Sequence, residues 1–185
     1  MNKDEVLRYM RTSSKTKDEA ILSLADEAIE KIESVSQPKT LLRVFDCAVG
    51  EEAVEIGGYA FKSKALAENL RGCKKAAVFG ATLGIGVDRS IKLAVLENLS
   101  FGMALQAAAA EKIEEVCDGL EEEIKKQYGF KLRSRFSPGY YDLDISEQKK
   151  VFAMLELTKR IGITLSESLE MMPSKSVTAI IGIEN

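Results

Sequence analysis

Residues 74–88, KKAAVFGATLGIGVD, place the tightest constraint on the fold. An apolar stretch with strand character, AAVFG, runs into a loop holding Gly80, Gly84 and Gly86, and a helix is predicted from about Val87. A strand, a glycine loop and a helix start are the parts of a phosphate or dinucleotide site. The spacing here is G-x-x-x-G-x-G rather than G-x-G-x-x-G, and no Lys-Ser/Thr pair closes the loop. No alternating βαβ series follows either; the next predicted element is a long helix over 100–127. The glycines therefore read as a tight strand-to-helix turn, and a doubly wound α/β fold is disfavoured.

The remaining patterns agree with that choice. Residues 18–35 carry apolar side chains three and four apart, from Ala20 to Val35, on a single helical stripe, with Asp18 and Glu19 at its positive end. TLLRVFDCAV (40–49) and EAVEIGGYAF (52–61) read as strands joined at Gly50 in an antiparallel hairpin. A short helix over 63–72 has Ser63 as N-cap and Gly72 as its stop. Gly119 predicts a kink or break in the long helix. FKLRSRF (130–136) reads as extended, with Arg133 and Arg135 on one side. Ser146 is the expected N-cap of a helix ended by Gly162, and 163–172 and 176–183 are expected to pair as a hairpin across Pro173-Ser174-Lys175. The expectation is one α+β domain over 1–185, an antiparallel or mixed sheet packed with long helices. Residues 1–36 form its N-terminal helical part and 37–185 its core.

Composition removes several kinds of chemistry. The chain has no histidine, so Ser-His and Cys-His nucleophile pairs, an imidazole base and an imidazole-ligated metal are all impossible. Its three cysteines, Cys47, Cys73 and Cys117, are far apart in sequence and odd in number. They read as small core residues in a reducing compartment, and no metal site is expected. A net charge of −3 gives no basic excess for nucleic acid. No apolar run is long enough to span a membrane, and the charged start MNKDEVLRYMR lacks a signal core. A cytoplasmic protein is expected.

One stretch combines the groups a ligand needs. In RSRFSPGYYDLD (133–144), Pro138 and Gly139 signal a turn, and type II geometry wants Pro and then Gly at its centre. Gly139 also lets the backbone approach a ligand, Arg135 offers a fork for a carboxylate, and Tyr140 offers a face for a ring or a cation. The long helix brings many glutamates, of which spacing alone does not choose one to face inward.

Arg135-Phe136-Ser137-Pro138-Gly139-Tyr140 resembles the R-x-x-P-G-Y signature of the activation domain of cobalamin-dependent methionine synthase. The resemblance continues through Leu165-Ser166-Glu167-Ser168, Met172-Pro173 and Ser176-Val177, and upstream through 63–89 and the alanine-rich helix, where it is to the short, stand-alone members. It implies binding of S-adenosylmethionine by Arg135, Gly139 and Tyr140, with a glutamate of the long helix, aligned at Glu114 between Glu111 and Glu115. It further implies reductive remethylation of cobalamin carried by a methionine synthase subunit that lacks this domain, with electrons from a flavodoxin- or ferredoxin-type donor. Methyl transfer from a sulfonium needs alignment rather than an acid or base, which suits a chain without histidine and without catalytic side chains of its own. The alternative is a non-catalytic module that binds S-adenosylmethionine or another nucleoside, or a partner of some other corrinoid protein. Two departures stand out: Ile181 and Gly182 replace the family's aromatic pair, and the family's longer N-terminal region with its acidic contact has no counterpart.

Overall fold

The computed structural model describes residues 1–128 and 131–184. Helices α1 (Lys3–Tyr9) and α2 (Glu19–Val35) precede strands β1 (Lys39–Val49), β2 (Ala53–Ile56) and β3 (Tyr59–Lys62). Helix α3 (Lys64–Asn69), strand β4 (Lys75–Thr82) and helices α4 (Ile85–Glu97) and α5 (Leu99–Tyr128) follow. A 3-10 turn, Ile145–Glu147, leads to α6 (Gln148–Leu155), α7 (Leu157–Ile161), β5 (Thr164–Leu165), β6 (Met171–Met172) and β7 (Ser176–Ile183). No helix among the described residues is long and apolar enough to cross a membrane.

The main sheet has the order β3-β2-β1-β4-β7, and every neighbouring pair in it is antiparallel. The α+β expectation is met, with the sheet wholly antiparallel. Strand β4 shows why. Ala77, Phe79 and Ala81 pack with α1, α2, α4 and α5 on one face, while Ala76 and Val78 pack with α3, α6 and α7 on the other. A strand buried on both faces needs a continuous apolar run, and β4 and β7 have one. The result is a three-layer arrangement with a separate core on each side of the sheet.

The glycine loop is packing. Gly84, at φ +84°, heads α4 two residues earlier than predicted. A Cβ on Gly86 would lie 2.8 Å from the Val35 carbonyl oxygen, so glycine lets α4 start hard against the end of α2. Gly80 lies in β4 itself, beneath the Leu157 side chain. The Asp18 carboxylate caps α2 by accepting from the N–H groups of Ala20 and Ile21.

Several sequence expectations need correction. Helix α1 was not foreseen; it buries only Val6 and Leu7, too few for a periodic stripe. Residues 52–61 are two strands, because Gly57 and Gly58, both at positive φ, close a two-residue hairpin between β2 and β3. Gly119 does not break α5, where a side chain would meet open space. Asp144, not Ser146, caps the approach to α6, accepting from the Ser146 N–H at 2.8 Å. The single helix predicted up to Gly162 is divided at Glu156, which is left-handed at φ +53°. That break turns Leu157 fully into the core against Gly80, and no Gly or Pro announces it. The terminal hairpin does not form. β6 pairs with β5, while β7 joins β4 over eight positions. Only the main sheet can hide both apolar faces of β7. Phe130, the first residue of the predicted extended segment, lies outside the described residues.

Candidate functional site

Leu132 bridges to Ile183 and Phe136 bridges to Ile180, so the segment crosses β7 with one residue more than its partner. An extra residue interrupts the alternation of a strand pair and re-aims the side chains beyond it. Arg133 and Arg135 consequently do not share a side as predicted. Arg133 lies over Gly182, donates to the Arg71 carbonyl at 3.0 Å and pairs with Glu184. Arg135 turns to α5.

There its Nη2 lies 3.0 Å from Glu114 and 3.0 Å from Asp118, and its Nε 2.9 Å from Glu121. Positions 114, 118 and 121 form one stripe of a helix, so about two turns of α5 deliver three carboxylates to one guanidinium. Partial burial opposes the charge on Arg135, but the carboxylates, Glu114 foremost, outweigh it and push its pKa upward. The neighbouring glutamates are engaged elsewhere. Glu111 is buried and accepts from the Asn2 N–H, and Glu115 pairs with Lys112 and the Met1 ammonium. The sequence does not single out Asp118 or Glu121; their offsets of four and seven from Glu114 were the available signal. Cys117, buried between these acids, has its thiol pushed up to about 12 by burial, and partial burial raises Cys47 to about 11. Both remain thiols at neutral pH.

The loop itself is a hydrogen-bonded knot. The Tyr140 N–H donates to the Ser137 carbonyl at 3.0 Å around Pro138 and Gly139, and Gly139 sits at φ +93°, the value a type II turn demands. Gly139 donates to the Leu143 carbonyl and Leu143 donates back to Tyr140. The Ser137 hydroxyl fastens the turn to the Thr178 carbonyl of β7 at 2.7 Å. Phe136 meets the rings of both Tyr140 and Tyr141, at centroid distances of 6.2 and 5.8 Å. Tyr140 is half-exposed and borders a cleft of about 220 Å³ with Pro138, Ile145, Gln148, Met171 and Thr178. Glu114 and Asp118 border a different, acidic cleft of about 440 Å³ between α1 and α5. The structure thus pairs Arg135 with Glu114 directly and sets Tyr140 five residues on, at another cleft, with Gly139 in the turn before it.

Asp142 closes the knot. Its carboxylate accepts from the Ser63 hydroxyl, from the Lys64 N–H at 2.7 Å and from the Ala65 N–H at 3.2 Å. The Ser63 hydroxyl and these amides hold its pKa below the usual aspartate value. A depressed carboxylate contributes its full stabilisation above the unfolded pKa of about 3.9 and loses it as pH falls through the folded value. The loop-to-α3 tether is therefore expected to persist from neutral pH to about pH 4 and to open only in stronger acid. Hydrogen-exchange protection of the Lys64 and Ala65 amides as a function of pH checks this; protection lost near pH 6 would contradict it.

The aromatic pair's replacements are both interior. Ile181 is fully buried in the α5-side core, and Gly182 faces Leu70 and Cys73 on the other side. They offer no surface to a ligand.

The family model described as vitamin B12 dependent methionine synthase, activation domain, matches residues 76–185. A crystal structure of the MetH reactivation domain bound to AdoHcy superposes with a TM-score of 0.71 at 17% identity, which establishes likeness of fold. The match covers 90% of this chain and 65% of that one, so the chain spans less than two thirds of its length. No curated protein matches the chain.

Proposed function

The chain belongs to the activation-domain family of vitamin B12 dependent methionine synthase, and on that premise we propose that it binds S-adenosylmethionine and serves as a reactivation module. Its partner in this reading is a separate methionine synthase chain that carries the cobalamin, with a flavodoxin- or ferredoxin-type donor supplying electrons. The observation that carries the reading is Arg135, held beside a Pro-Gly turn by Glu114, Asp118 and Glu121. S-adenosylmethionine has a carboxylate, an ammonium and a sulfonium, and is a net cation. One arginine within three carboxylates is complementary to such a ligand. The arginine attracts the carboxylate, and the excess negative charge attracts the two cationic centres. The carboxylates engage Nη2 and Nε, and Nη1 is the edge assigned to the ligand's carboxylate. Gly139 brings backbone groups close, and Tyr140 presents its ring. The related solved domain was crystallised with AdoHcy, the thioether left when this ligand gives up its methyl group.

With no histidine, the chain has no imidazole to offer cobalt, which is why the cobalamin is assigned to the partner. This chain's own residues bind, orient and exclude water; none is asked to move a proton.

The test is direct. Calorimetry should detect S-adenosylmethionine binding, with affinity falling as salt rises, because part of the attraction is between exposed charges. A methionine synthase lacking this domain, inactivated by cobalamin oxidation, should then regain activity only when this protein, S-adenosylmethionine and a one-electron reductant are all present. Binding without recovery would make the chain a ligand-binding module alone, and no binding would dismiss both readings.

A further inference from the structure

Tyr141 is the odd residue of the loop. It is left-handed at φ +51° although it is not glycine, and its side chain is 88% exposed. Such a backbone costs on the order of 1 kcal/mol, and the ring stacks on Phe136 while most of it stays in solvent. The conformation does accomplish one thing: it sends Tyr140 and Asp142, on either side, in the directions they take. Asp142 then reaches across to α3, bonding to the Ser63 hydroxyl and to the Lys64 and Ala65 amides. These bonds also complete the cap of α3: the Ser63 hydroxyl accepts from the Leu66 N–H at 2.9 Å, and the Asp142 carboxylate takes the Lys64 and Ala65 amides ahead of it, so loop and helix start are fixed to each other. On its other side the loop is held by the Ser137–Tyr140 turn and its bond to β7. Gly139 and Tyr140, the loop residues assigned to the ligand, lie between that anchor and Asp142.

We infer that Asp142 is a positioning residue for S-adenosylmethionine: clamped by Ser63 and the start of α3, it holds Tyr141 in its left-handed conformation and so fixes Gly139 and Tyr140 where the ligand meets them. The inference rests on the S-adenosylmethionine reading above. Asp142 itself touches no ligand. It works because a carboxylate can accept three donors at once, which an amide of the same size cannot.

Asp142→Asn is therefore expected to weaken S-adenosylmethionine binding about tenfold in calorimetry, the loss of one charge-assisted hydrogen bond. Ser63→Ala should weaken it about threefold and Ser63→Thr, which keeps the hydroxyl, should restore it. The distinguishing readout is a double-mutant cycle with Tyr140→Ala. If Asp142 acts by placing Tyr140, Asp142→Asn costs less than twofold once Tyr140 is gone. A tenfold loss persisting in the Tyr140→Ala background would mean general loosening and overturn the inference, as would Asp142→Asn and Ser63→Ala binding within twofold of wild type. Absence of binding by the wild-type protein would instead overturn the ligand reading on which this rests.

Discussion

Arg135→Ala is expected to weaken S-adenosylmethionine binding by about 100-fold, near 2.7 kcal/mol, while leaving the protein folded. Two effects add. The ligand's carboxylate loses its charge-assisted partner, worth about 1.5–3 kcal/mol. It then faces Glu114, Asp118 and Glu121 with no cation between, so what was an attractive site becomes a repulsive one for that end of the molecule. Arg135→Lys should recover only part of the loss. An ammonium is a point charge and cannot hold three carboxylates and a ligand in one plane. Glu114→Gln should cost only a few-fold, because Asp118 and Glu121 remain. The fold should survive, since Arg135 is partly exposed and belongs to neither core. Surface ion pairs of this kind contribute about 1 kcal/mol or less each. Calorimetry on the three variants, with thermal unfolding as a control, checks the order. Arg135→Ala binding as tightly as wild type would remove Arg135 from the site.

That order of effects could not have been written from the sequence. The signature Arg135-x-x-Pro138-Gly139-Tyr140 was legible, because Pro and Gly at the centre of a turn have a local conformational meaning, and Gly139 takes the positive φ it implies. Ser63 and the stripe of α2 were legible for the same reason: caps and periodicity act within a few residues. The Arg135 direction was not, since it depends on the extra residue between two bridges to β7, and a count of pairings exists only in three dimensions. Glu156 hides a helix break because nothing local requires it; Leu157 is drawn into the core by its match to Gly80, nearly half the chain away. The terminal hairpin failed for a related reason. Proximity in sequence favoured pairing β6 with β7, but the burial of both faces of β7 is satisfied only by β4. Asp142 was unremarkable as a loop aspartate until its partners, some 78 residues upstream, were in place.

Gly182→Tyr, which installs an aromatic on the last strand, is expected to lower stability by about 3 kcal/mol and the unfolding midpoint by roughly 10 °C, without improving ligand affinity. Gly182 pairs with Ala76 in the sheet, and a Cβ there would lie 2.7 Å from Leu70 Cδ2, 2.8 Å from Cys73 Sγ and 2.9 Å from Arg133 Cγ. Leu70 is fully buried and Cys73 nearly so, so neither can swing into solvent. Arg133 can, but only by releasing the Arg71 carbonyl and Glu184. A ring larger than the missing methyl has to displace all three. Gly182→Ala should show a smaller loss of the same origin. Ile181, on the opposite face, is fully buried in the second core, so moving the aromatic one residue back offers no better route. In this chain the last strand is thus committed to packing, and the aromatic surface near the ligand loop comes from Tyr140 and Tyr141, both exposed and both against Phe136. Thermal unfolding followed by circular dichroism measures the first half of the prediction and calorimetry the second. A Gly182→Tyr protein that melts with wild-type and binds S-adenosylmethionine more tightly would show that the α3 side opens without cost, and that the strand had kept a ligand face after all.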